Sequence, residues 1–125
     1  MGVIGIGVDL VKISRIRHAI GRRGDRFVAR ILSATERDGR PKNVALELWV
    51  AGRFAAKEAC LKALGTGWAV GLAFTQVQVL EDGTLALNGR AGERAEHLGV
   101  VNARVSLAEQ GDMMAAVVIL DRNVE

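Results

Sequence analysis

The chain has 125 residues, 50% of them apolar and 25% charged, with 17 Lys and Arg against 14 Asp and Glu for a net charge of +3. That length fits a single domain, residues 1–125, with room for one real core, and the composition excludes a disordered chain. No apolar run approaches the roughly 18 to 20 residues of a membrane span, and two Trp with three Phe are too few for a base-stacking nucleic-acid surface. The single cysteine, Cys60, has no partner for an internal disulfide, which points to a reducing compartment. The start lacks a basic leader, and Ile6 stands where a myristoylation signal wants Ser or Thr. A cytoplasmic location is therefore expected.

In chain order, Val3 to Leu10 alternates with period two, placing Ile4, Ile6 and Val8 on one face and Val3, Gly5, Gly7 and Asp9 on the other. The two glycines beside Asp9 leave a bare strip. Either a helix packs closely there, with Asp9 capping the next helix, or a ligand approaches the backbone. The Gly5-x-Gly7 pair is not a dinucleotide fingerprint, since Leu10 holds the third glycine position. Residues 12–32 show helical spacing broken by Gly21 and Gly24, predicting two pieces whose exposed sides carry arginines. A short turn should begin at Ser33, with Glu36 as its capping-box partner, and a loop is expected around Pro41. Between Lys12 and Lys42 there are ten Lys and Arg against three acids, so this segment suits an anionic partner.

Val44 to Leu64 reads as the longest helix, with Gly65 as its C-cap and a glycine-rich loop after it. Thr75–Leu80 and Thr84–Asn88 form a hairpin about Asp82-Gly83. Gly89–Leu98 is a polar-faced helix, and Val100–Ala108 and Met113–Leu120 are two closing strands. The predicted class is α+β, a mainly antiparallel sheet packed on one long helix and shorter N-terminal helices.

Two acids stand out for chemistry: Asp9 at the end of the first strand and Glu58 in the long helix, with Lys57 and Lys62 close by in sequence. Taken alone, Glu58 and Lys62 are a helical pair at one-turn spacing, either surface decoration or half of an anion and metal site. Two carboxylates with substrate oxygens and water suit Mg2+, a hard cation that keeps part of its hydration shell. Cys60 reads as a small buried filler, and His18 and His97 lie in surface patterns without an assigned role.

Gly5-Ile-Gly-Val-Asp-Leu-Val-Lys-Ile-Ser-Arg-Ile16, followed by Phe54-Ala-Ala-Lys-Glu-Ala-Cys-Leu-Lys62 and Gly65-Thr-Gly67, closely resembles the holo-acyl-carrier-protein synthases, the small bacterial class of phosphopantetheinyl transferases. The resemblance runs the whole length. It implies transfer of 4′-phosphopantetheine from coenzyme A to a serine of apo-acyl carrier protein, as in fatty acid or polyketide synthesis. It also implies Asp9 and Glu58 as Mg2+ ligands and Lys62 beside the pyrophosphate. Arg53 and Lys57 become candidate coenzyme A phosphate contacts, and Gly65, Thr66 and Gly67 the loop bordering the nucleotide. Arg15, Arg22, Arg23 and Arg26 with Phe27 match the carrier-docking surface, and a homotrimer is the implied assembly. Three positions depart from the family pattern: Arg104 where many members have a histidine, Glu109 where some have a histidine and others an acid, and Lys12 in place of an acid. They leave open a paralogue that binds coenzyme A or carrier without efficient transfer.

Overall fold

Residues 1–66 and 71–124 are described by a computed structural model. The first strand, β1 (Gly2–Lys12), lies against the long helix α4 (Leu46–Leu64) through its glycine-bearing face. A Cβ at Gly7 would overlap the Ala59 carbonyl, and one at Gly5 the Ala63 carbonyl. The bare strip therefore lets a helix backbone approach, not a ligand. The helix answers with small residues of its own: Ala51, Ala55, Ala56, Ala59 and Ala63 are all buried. This close approach is what brings residues near the end of β1 within reach of α4 side chains.

Three further helices intervene between them: α1 (Ile13–Arg23), α2 (Asp25–Ile31) and α3 (Ala34–Asp38). The two expected helical pieces form, with the break at Gly24, whose φ of 60° ends α1, while α1 runs through Gly21. Gly21 sits on the exposed side with open space around it, where a missing side chain costs no packing. Ser33 and Glu36 form the expected capping box on α3. The long helix begins at Leu46, after Ala45, instead of Val44, and ends as expected on Gly65 in the left-handed region at φ 73°.

The second half starts with a 3-10 turn (Phe74–Gln76), then β2 (Val77–Val79) and β3 (Leu85–Leu87), shorter than the expected hairpin strands. Gln76 N donates to Ala73 O and closes the 3-10 turn, its carbonyl still accepts from Asn88 N, and its side chain donates to Gly71 O and accepts from Ala91 N. After α5 (Gly89–Leu98) come β4 (Val100–Gln110) and β5 (Met113–Arg122). The main sheet is antiparallel in the order β1-β5-β4, and the hairpin forms a separate two-stranded sheet. The core lies between α4 and the inner sheet face, where Val50, Ala55 and Cys60 meet Ala116, Val118 and Leu120, all fully buried. The outer face is different: Ile6, Val8 and Leu10 are each more than half exposed.

The orientation of α1 is set from across the chain. Its N-cap, Lys12, makes no side-chain cap, and Asp112 in the β4–β5 turn takes over that task. Asp112 accepts from Ser14 N at 2.9 Å and from the Ser14 hydroxyl, while its carbonyl accepts from Ile13 N at 2.8 Å. The Ser14 hydroxyl bond is the main reason the Asp112 carboxyl is held below its ordinary range.

Candidate functional site

Asp9, Glu58 and Lys62 converge. Asp9 lies on the inner face of β1, in register with Ala116 of β5, and its side chain is only 13% exposed. From α4, Lys62 donates to Asp9 Oδ1 at 2.8 Å and to Val8 O at 3.2 Å. The Lys62 ammonium is held above its ordinary pKa chiefly by the Asp9 hydrogen bond, with the charges of Asp9 and Glu58 adding to it, so it is cationic at neutral pH. Glu58, one turn earlier on α4, lines the same groove of about 520 Å3 as Asp9, together with Arg15, Phe27 and Phe54. A second hollow of about 320 Å3 shares Glu58, Phe27 and Phe54 and adds Arg30 and Phe74. The Phe54 and Phe74 rings stand 5.3 Å apart, giving that hollow an aromatic wall.

The donor set fits a hard divalent cation only in part. Among the described residues no group of three or more His, Cys, Asp or Glu gathers as a metal cluster. Asp9 and Glu58 offer carboxylate oxygens to one groove, and the remaining ligands of a Mg2+ would be substrate oxygens and water, its usual habit with phosphates.

Lys57 is placed elsewhere, and the expectation that it contacts a coenzyme A phosphate is corrected. Its side chain is fully buried, with Nζ 2.6 Å from Glu36 Oε1 and 2.6 Å from Ile31 O. Burial pulls its pKa down, and the hydrogen bond and charge of Glu36 push back. Glu36 also accepts from Val79 N at 2.9 Å and Ser33 N at 3.0 Å, so this pair ties α4, α3, the end of α2 and β2 together. The Lys57 ammonium is fully buried and does not reach the surface.

Arg53 lies on the same side as Glu36, away from the Asp9 groove. Its guanidinium stacks 3.5 Å from the centroid of the Trp49 ring, and its Nε is buried without a hydrogen-bond partner. Burial lowers its pKa, countered by the Glu36 charge. Arg53 and Trp49 border a cavity of about 190 Å3 with Thr35, Gly39 and Gln78. Two carboxylates, Glu36 and Glu81, also line this cavity, and Lys57 holds Glu36 directly. Trp49 had only a helical apolar position in the sequence to mark it, and its role as the stacking plate appears only in the fold.

The end of α4 is fastened rather than loose. Arg94 Nε donates to Leu64 O at 2.9 Å, and the Thr66 hydroxyl donates to Leu61 O. Gly67 lies outside the described residues. Along α1, exposed Arg15, Arg22 and Arg23 border one shallow hollow, and exposed Arg26 and half-buried Phe27 open α2. Arg104 is on the outer sheet face, with Nη2 2.9 Å from Asp121 Oδ2. Burial pushes the Cys60 thiol up to about 12, so it remains a neutral filler. His18 and His97 are exposed on helices.

With this geometry in place, comparison with known proteins gives consistent results. The sequence profile described as the 4′-phosphopantetheinyl transferase superfamily matches residues 5–117. A holo-[acyl-carrier-protein] synthase from Solidesulfovibrio magneticus is 46% identical over 121 residues, covering 94% of this chain and 97% of the relative. The crystal structure of holo-[acyl-carrier-protein] synthase from Neisseria meningitidis superposes with a TM-score of 0.85 at 28% identity, covering 97% of this chain and all of that one. That from Helicobacter pylori, solved in complex with coenzyme A, gives a TM-score of 0.76 at 27% identity over 93% of this chain and 99% of that one.

Proposed function

Because this chain belongs to the 4′-phosphopantetheinyl transferase superfamily, we propose that it transfers 4′-phosphopantetheine from coenzyme A to a serine of an apo-acyl carrier protein and releases adenosine 3′,5′-bisphosphate. The observation that carries this reading is the Lys62–Asp9 contact beside a groove that Asp9 and Glu58 line together with Arg15 and Phe27. In the reaction the serine oxygen forms a bond to the β-phosphorus, the bridging pyrophosphate bond breaks, and the serine proton leaves to water in the groove. Charge grows on the departing bisphosphate. Lys62, cationic and half exposed, would neutralise it. Asp9 and Glu58 would hold a Mg2+, which when bound supplies electrostatic stabilisation to the same oxygens.

Arg53 is our candidate for a further coenzyme A phosphate. What supports this reading is a stacked guanidinium with a buried, unpartnered Nε beside a cavity; a phosphate there would share it with Glu36, which Lys57 holds, and with Glu81. The arginines of α1 and α2 suit an acidic carrier, with charge complementarity mainly steering encounter. Arg15→Glu or Arg26→Glu should raise KM for carrier several-fold more than KM for coenzyme A; equal effects on both would remove the docking assignment.

The outer sheet face supports self-association, and a homotrimer is the assembly the reading expects. Ile6, Val8 and Leu10 are 52% to 63% exposed and adjoin Val117, a contiguous apolar strip that self-association would cover. Light scattering should give three times the 13.4 kDa chain mass, and a monomer mass would reject the assembly. For the transferase itself, incubation with coenzyme A, Mg2+ and apo-carrier should add the phosphopantetheine mass to the carrier. No added mass with several carriers overturns the reading, and coenzyme A binding without transfer would mark an altered paralogue.

A further inference from the structure

An ammonium occupies the carboxylate that a metal would need. Lys62 Nζ is 2.8 Å from Asp9 Oδ1 and is steadied by Val8 O at 3.2 Å. The two partners are unequal: the Asp9 side chain is 13% exposed and held on a strand between β5 and α4, whereas the Lys62 side chain is 53% exposed. The carboxylate is therefore the fixed member and the ammonium the one able to leave. A divalent cation entering beside Asp9 meets a positive charge within a few ångströms, in a groove less well screened than bulk water. A pyrophosphate entering the same groove has the opposite effect, since its oxygens offer Lys62 a stronger partner than one carboxylate oxygen.

From this geometry we infer that Lys62 couples the binding of metal and coenzyme A. In the free protein it holds Asp9 and weakens the divalent cation; pyrophosphate draws it away and opens Asp9 to the metal. The inference rests on the reading of Asp9 and Glu58 as metal ligands. It gives Lys62 a place in assembling the site, beyond its contact with the leaving phosphate. By linkage, the factor by which coenzyme A tightens the metal equals the factor by which the metal tightens coenzyme A. A half-assembled site, with metal and no substrate, is thereby disfavoured.

The test is calorimetric titration of Mn2+ into the wild-type protein, Lys62→Met and Lys62→Arg, with and without coenzyme A and without carrier, corrected for Mn2+ bound by coenzyme A alone. Without coenzyme A, Lys62→Met should bind Mn2+ about fivefold tighter than wild type, and Lys62→Arg should match wild type. Coenzyme A should tighten Mn2+ about tenfold in wild type and by less than half that factor in Lys62→Met. A role confined to phosphate contact leaves Mn2+ affinity in the free protein unmoved. Equal or weaker Mn2+ binding by free Lys62→Met overturns the coupling alone. Absence of Mn2+ binding in all three proteins, even with coenzyme A, overturns the metal reading and the coupling with it.

Discussion

Glu58→Gln and Asp9→Asn should each lower the rate of carrier modification by about 100- to 1,000-fold, the range seen when one group stabilising transition-state charge is removed. Both replacements keep side-chain volume and lie at the groove, Glu58 half-buried and Asp9 at its base, so circular dichroism and melting should stay near wild type. Asp9→Asn additionally removes the charge that anchors Lys62 at 2.8 Å, leaving only a neutral acceptor. The two variants should therefore differ in coenzyme A affinity, with the Asp9→Asn protein binding the nucleotide alone no more weakly than wild type. Initial rates read by the mass of the carrier decide the matter, and wild-type rates in both variants would remove the metal assignment.

Lys57→Met should destabilise the fold by about 3 to 5 kcal/mol, the cost of leaving one member of a buried ion pair alone. The physical reason is Glu36, which is 4% exposed and has its charge balanced directly by the Lys57 ammonium. The loss would spread, since the pair joins α4 to Ile31 O, Ser33 N and Val79 N. Pairing it with Glu36→Gln should recover part of the loss, because the uncompensated charge is gone. Urea denaturation measures both. A Lys57→Met protein of wild-type stability with a raised KM for coenzyme A would restore the phosphate role withdrawn from this residue.

Lys57 and Lys62 show why adjacent residues of one motif part company. They are five positions apart on α4, about 140° around the helix, and so face different surroundings. One points into the seam between α2, α3 and β2, and the other lies along β1. Periodicity places both on the helix but says nothing of what each side meets. The same gap explains Trp49 and Arg53: their one-turn spacing was legible, but the unpartnered Nε and its cavity depend on α3 and β2 arriving from elsewhere.

Local chemistry fared better. Gly65 as the C-cap, Ser33 with Glu36 as the capping box, and the Asp82-Gly83 turn were all readable because each is decided by a few neighbouring residues. Gly21 misled for the complementary reason: a glycine weakens a helix by about 1 kcal/mol, which packing of Ile13, Ile16 and Ile20 outweighs. The first hairpin strand starts later because a 3-10 turn over Phe74–Gln76 takes its first residues.

By itself, the sequence determined the α+β class, the order of elements, the basic first third and, through its two motifs, the family. The glycines of β1 also announced a close approach. Only the tertiary structure decided what approaches, that Asp9 and Lys62 meet at 2.8 Å, and that Lys57 is a buried strut. These contacts join residues 21 to 53 positions apart, and their partners are chosen by packing of helix on sheet, which no local pattern encodes.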